Sequence, residues 1–142
     1  MTLVIPTERA EKHFVMLARF ALFLVYGWFG ILKVFDLSPA TPLVHALFNQ
    51  TLASLLSFSV FSIAFGAFEV LIGILFLVPR FTKFALLLLA FHMITTILPI
   101  VILPSYTWSG WFVPTLEGQY IIKNILIITA AFGIYVHTRE RA

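Results

Sequence analysis

The chain has 142 residues, 61% of them apolar and only 11% charged, with a mean hydropathy of +1.06. A soluble domain of this size has no core large enough to hide sixteen Phe and the surrounding Leu and Ile, so lipid must be the solvent. The formal charge of +3 does not mark a nucleic-acid surface, because most of the Lys and Arg cluster at the ends of apolar runs, and the absence of Cys excludes disulfides, thiolate metal sites and a thiol relay carried by this chain.

A hydrocarbon core of about 30 Å requires roughly 20 apolar residues at 1.5 Å each. Four stretches meet that length, residues 14–35, 60–78, 84–103 and 119–136, and they predict an all-α, polytopic four-helix bundle forming a single domain over residues 1–142. The first run is too long for the core of a signal peptide and no small-x-small cleavage site follows it, so it is expected to remain as a helix. Along it Arg19, Phe23, Tyr26, Gly30 and Lys33 recur on one stripe.

The connection that follows contains a segment, residues 42–56, that is too short and polar to span. With Thr41 as N-cap, Pro42 at the first helical position and Leu43, Leu47 and Leu55 on one face, it reads as a helix lying in the interface. In the second span Ser62, Gly66, Glu69 and Gly73 share a stripe, and the small residues there let a neighbouring backbone approach, which puts Glu69 at a helix–helix contact. Residues 79–83 form a tight basic turn that Pro79 opens. His92, Thr95, Thr96 and Pro99 gather on one face of the third span. Ser105 to Phe112 form an uncharged aromatic loop suited to headgroup depth, and the fourth span carries Lys123 and Asn124 near its start.

Cations set the orientation. Arg9, Lys12, Arg19, Arg80, Lys83, Arg139 and Arg141 fall on one side, whereas the loops 36–59 and 104–118 contain no Lys or Arg, so both termini are expected in the cytoplasm.

Ionisable groups inside a span are costly and turn toward the bundle interior, which singles out Lys33, Glu69, His92 and Lys123. By helix rise Glu69 lies about 15 Å and His92 about 12 Å from the inner ends of their helices, a matched depth for a hydrogen bond or ion pair. Lys33 and Lys123 both lie near outer ends, where their stems can snorkel outward or reach Asp36 and Glu117. Two readings stand. In one, Glu69 with His92 handles protons in a polar chamber while the lysines offer donors to a carbonyl or anion. In the other, Glu69 is neutralised by a proton or a Lys for packing specificity and both lysines are anchors. His92 has no His partner at its depth for haem ligation, since His13 and His137 lie near the inner surface, and no metal-ligand spacing, phosphate loop or nucleophile elbow is present. The chain is under-equipped as an enzyme on its own.

Gly30-Ile31-Leu32-Lys33, Glu69-x-x-x-Gly73, the basic turn 79–83 and Glu117-Gly118-Gln119-Tyr120-Ile121-Ile122-Lys123-Asn124 together resemble the DoxX-like superfamily of small four-helix membrane proteins. Ser38-Pro39-Ala40-Thr41-Pro42-Leu43-Val44 is closest to its branch containing the inner-membrane protein of bacterial reactive-chlorine resistance, although the first outer loop here is shorter and Cys is absent. The resemblance runs from Ala18 onward. It implies a bacterial-type inner-membrane protein that supports redox or oxidative-stress chemistry, with a quinone or a membrane protein partner as ligand, and it highlights Lys33, Glu69, Gly73 and Lys123. A structural or assembly subunit, with helices docked to a partner or to a second copy, is the alternative, and a small transporter the next.

Overall fold

A computed structural model describes residues 7–140, which fold as the expected all-α arrangement. Four of its helices, α1 (Thr7–Val34), α3 (Phe58–Leu77), α4 (Thr82–Ile102) and α6 (Leu116–Glu140), are long and apolar enough to cross a membrane. The shorter α2 (Thr41–Thr51) joins α1 to α3, and α5 (Pro104–Thr107) with a hairpin of β1 (Trp108–Gly110) and β2 (Val113–Pro114) joins α4 to α6. Four crossings place the start of α1 and the finish of α6 at one end of the bundle, the terminal end, and α2 with the hairpin at the other, the hairpin end.

Local chemistry sets each boundary. The helix α1 starts at Thr7 rather than at residue 14, because its first turns are polar and exposed and are supported by an i,i+4 pair, Glu8 with Lys12 at 3.0 Å. It stops at a paired C-terminal motif in which Leu37 N–H bonds the Leu32 carbonyl at 2.7 Å and Asp36 N–H bonds that of Lys33 at 3.2 Å. That motif needs a left-handed residue, and Asp36 supplies it at φ 56°. Thr41 is not the cap of α2: Ala40 holds that position without a side-chain cap, and Thr41 and Pro42 form the first turn. The same helix ends at Thr51, short of residue 56, where the N–H groups of Leu52 and Ala53 both return to the Phe48 carbonyl. Pro79 opens a 3₁₀ turn, Pro79–Phe81, that reverses the chain into α4. The aromatic loop forms a helical turn and a hairpin with Phe112 at φ 54°, pieces too short for periodicity to announce. At its tip Trp111 and Phe112 are almost fully exposed.

The spanning helices pack in a ring, α1 on α3, α3 on α4, α4 on α6 and α6 on α1, with α1 against α3 much the most extensive interface. Leu22, Ile72, Phe76, Leu89 and Ile134 close the centre. The outward faces are predominantly apolar, as contact with a bilayer requires, and α6 buries the least of the four. Arg141, counted among the terminal cations, lies outside the described residues.

Candidate functional site

The α1–α3 interface begins with glycines. A Cβ placed on Gly30 would lie 2.6 Å from the Gly66 carbonyl oxygen, and one on Gly66 equally close to that of Gly30, so only hydrogen fits at either position. Gly73 meets the backbone of Gly27 and Phe23 two turns further toward the terminal end. The helices are antiparallel there and their backbones nearly touch, an approach that small residues permit. Ser62 completes the seam by donating to the Lys33 carbonyl at 3.1 Å, a second donor beside the Asp36 N–H on that oxygen.

This approach brings Lys33 to Glu69. Nζ of Lys33 lies 2.8 Å from Oε1 and 2.6 Å from Oε2, and the side chains are only 11% and 6% exposed. On the opposite side His92 Nε2 reaches the same Oε1 at 2.8 Å. A proton on Nε2 satisfies that contact and leaves Nδ1 to accept from Tyr26 Oη at 3.3 Å, a tautomer assigned from the network. Three of the spanning helices thus contribute to one chain of groups, Tyr26, His92, Glu69 and Lys33. One ammonium and one carboxylate cancel, so the cluster carries no net charge into the apolar interior when His92 is neutral.

Aromatic rings wall the cluster. The Phe65 ring stacks on His92 at 5.3 Å and 15°, Tyr26 meets it edge-on at 5.1 Å, and Lys33 Nζ lies 5.6 Å from the Phe65 centroid. From Phe65 a column continues through Phe61 and Phe58 to Phe48 and His45 of α2 at the hairpin end. Within α4, Thr95 and Thr96 both donate to the His92 carbonyl, which fixes the turn bearing the imidazole.

The two lysines expected to act alike do not. Lys33 pairs with Glu69 and not with Asp36, whereas Lys123 is exposed and lies over the Tyr120 ring at 5.4 Å, away from Glu117 and from the cluster. Helix direction explains the difference. A side chain leans toward the N-terminus of its own helix. Lys33 sits at the end of α1 and leans back into the bundle, while Lys123 sits near the start of α6 and leans toward the hairpin end. Asn124 is half-buried and makes no side-chain hydrogen bond with the described residues.

Arg19 carries more than the orientation signal read from sequence. Buried at the terminal end, its guanidinium donates to the Phe76 carbonyl at 3.0 Å, to Thr82 Oγ1 at 2.7 Å and to Thr138 Oγ1 at 3.4 Å, tying α1 to α3, α4 and α6. Among the described residues no carboxylate pairs with it. Its position on the stripe of Tyr26, Gly30 and Lys33 was the available signal that it faces inward. Comparison of the chain with family models, curated proteins and solved structures finds no match.

Proposed function

We propose that this protein is a small DoxX-like subunit of a bacterial-type inner membrane, with its termini in the cytoplasm, that supports redox or oxidative-stress chemistry through the Lys33–Glu69–His92 cluster. One observation carries the reading: a buried carboxylate bonded at once to a Lys on α1 and a His on α4. Ionisable groups are retained inside a membrane where they bind or move something, and proton-handling sites are built from such chains. The motifs shared with the DoxX-like group support the same reading.

A quinone head fits the chemistry of these residues. Lys33 commits two contacts to Glu69 and an ammonium has three N–H groups, so a donor remains for a carbonyl oxygen. The half-buried Phe61 and Phe65 extend from the cluster toward the hairpin end and give it an aromatic flank. A bound quinone supplies two-electron, two-proton redox chemistry. This chain's part is to hold the head by Lys33 and to pass protons along Glu69, His92 and Tyr26. Short-tailed ubiquinone or menaquinone analogues should stabilise the purified protein saturably, and Lys33→Met or Glu69→Gln should abolish the effect while Lys123→Leu retains it. Unchanged thermal stability of the wild type over the whole titration would remove the quinone reading.

The alternative, a structural or assembly subunit, draws on a different observation: among the described residues every fully buried side-chain polar atom already has a partner within the protein. On that reading Glu69→Gln leaves cellular function intact and Gly66→Leu destroys it. The redox reading requires loss of function in Glu69→Gln with the folded protein still present at wild-type level.

A further inference from the structure

The cluster of cations at the terminal end includes one that no carboxylate among the described residues neutralises. Arg19 is buried and spends its three hydrogen bonds on a carbonyl and two hydroxyls, which leaves the Nε–H and one Nη1–H without an acceptor among the described residues. It lines an open groove of about 380 Å³ between α1, the end of α3 and α6. Lys12 and His137 line the same groove, and among the described residues no acidic side chain does. Glu8 pairs with Lys12 at 3.0 Å, and both groups are more than half exposed, where a surface pair contributes little. The flank of the groove is apolar, and Met16, Phe20 and Leu77 continue from it onto the lipid-facing surface.

A basic recess at headgroup depth that opens sideways onto apolar surface matches an amphiphile, with its phosphate among the cations and its acyl chains along the helices. From this geometry we infer that the groove is a binding site for the phosphate of an anionic phospholipid. The apolar flank is what selects a lipid over a soluble phosphate, because a free anion needs only the cations and gains nothing from Met16, Phe20 and Leu77. Basic pockets between spanning helices bind anionic headgroups by the same combination of charge and depth. The occupant would supply the counter-charge that Arg19 lacks, and it would brace the point where Arg19 joins all four spanning helices.

The test uses the whole protein in a neutral detergent, titrated separately with phosphatidylglycerol, phosphatidylcholine, inorganic phosphate and glycerol 3-phosphate, with thermal stability and native mass spectrometry as readouts. Phosphatidylglycerol should raise the midpoint saturably and persist as a bound adduct, whereas the other three should not. The double variant Lys12→Ala/His137→Ala alters exposed or half-buried residues that make no tie between spanning helices. It should keep the lipid-free midpoint and bind phosphatidylglycerol about tenfold more weakly or worse. Equal stabilisation by phosphatidylcholine would overturn the assignment, as would reproduction of the effect by either soluble phosphate. Undiminished adducts in the double variant would overturn it as well, and Arg19→Lys, which keeps the charge but not the fork of donors, should give intermediate binding.

Discussion

Replacing Gly30 by Ala tests how the backbone approach of α1 and α3 sets the reach of Lys33. The added Cβ would lie 2.6 Å from the Gly66 carbonyl oxygen and 2.9 Å from the Val70 nitrogen, both backbone atoms that cannot swing aside, whereas ordinary contacts begin near 3.4 Å. The helices must therefore part by about 0.8 Å at this level. Lys33 and Glu69 lie one turn from the glycine contact on their respective helices, so their 2.6 and 2.8 Å contacts would stretch beyond good hydrogen-bond length. Overpacking of this kind costs about 1–3 kcal/mol, and weakening a buried pair adds to it, so a loss of about 3 kcal/mol is expected. Equilibrium unfolding in mixed detergent micelles gives the stability difference. A second measurement separates the terms: in a Lys33→Met/Glu69→Leu background the same Gly30→Ala change should cost only its steric part. Wild-type stability in Gly30→Ala would refute the reasoning, because it would mean that the helices do not meet at this distance.

Further expectations follow from the same geometry. Lys33→Met should destabilise the protein by about 3–5 kcal/mol, because it strands Glu69 in the interior with only His92, and unfolding of the single and double variants checks this. Lys123→Leu should leave the unfolding midpoint unchanged, since that lysine makes one contact, over Tyr120, and faces outward. Arg19→Leu removes donors from the Phe76 carbonyl, Thr82 and Thr138, and a loss of about 2 kcal/mol with faster proteolysis at the terminal end is the expected result. Asp36→Val should cost about 1–2 kcal/mol, because a β-branched residue is poorly placed at φ 56° while Asp tolerates it.

The four spans were legible because a bilayer reads length and hydropathy, quantities that a sequence states directly. Their ends were less so. The first turns of α1 are polar helix, supported by the Glu8–Lys12 pair that hydropathy does not register, and α6 likewise extends past both expected limits. Helical spacing put Gly66, Glu69 and Gly73 on one stripe and Tyr26, Gly30 and Lys33 on another, and in the fold those two stripes face each other. Which partner each ionisable group takes was not legible from depth alone. Depth treats Lys33 and Lys123 as equivalents, and only the opposite directions of α1 and α6 separate them. Thr41 illustrates a local miss: Ser38 Oγ accepts from the Ala40 N–H at 3.3 Å and the N-cap falls on Ala40, a residue with no capping side chain to announce it.

The most direct test is of the charge state of Glu69. Infrared difference spectroscopy on protein carrying ¹³C-labelled Glu, with Glu69→Gln as the subtraction, isolates the stretching bands of this one side chain. The account predicts a carboxylate pair of bands that shifts when Lys33 is replaced by Met and again when His92 is replaced by Phe. A band of a protonated carboxyl group, indifferent to both replacements, would contradict it: Glu69 would then be a neutral packing residue and the cluster would not be a working centre.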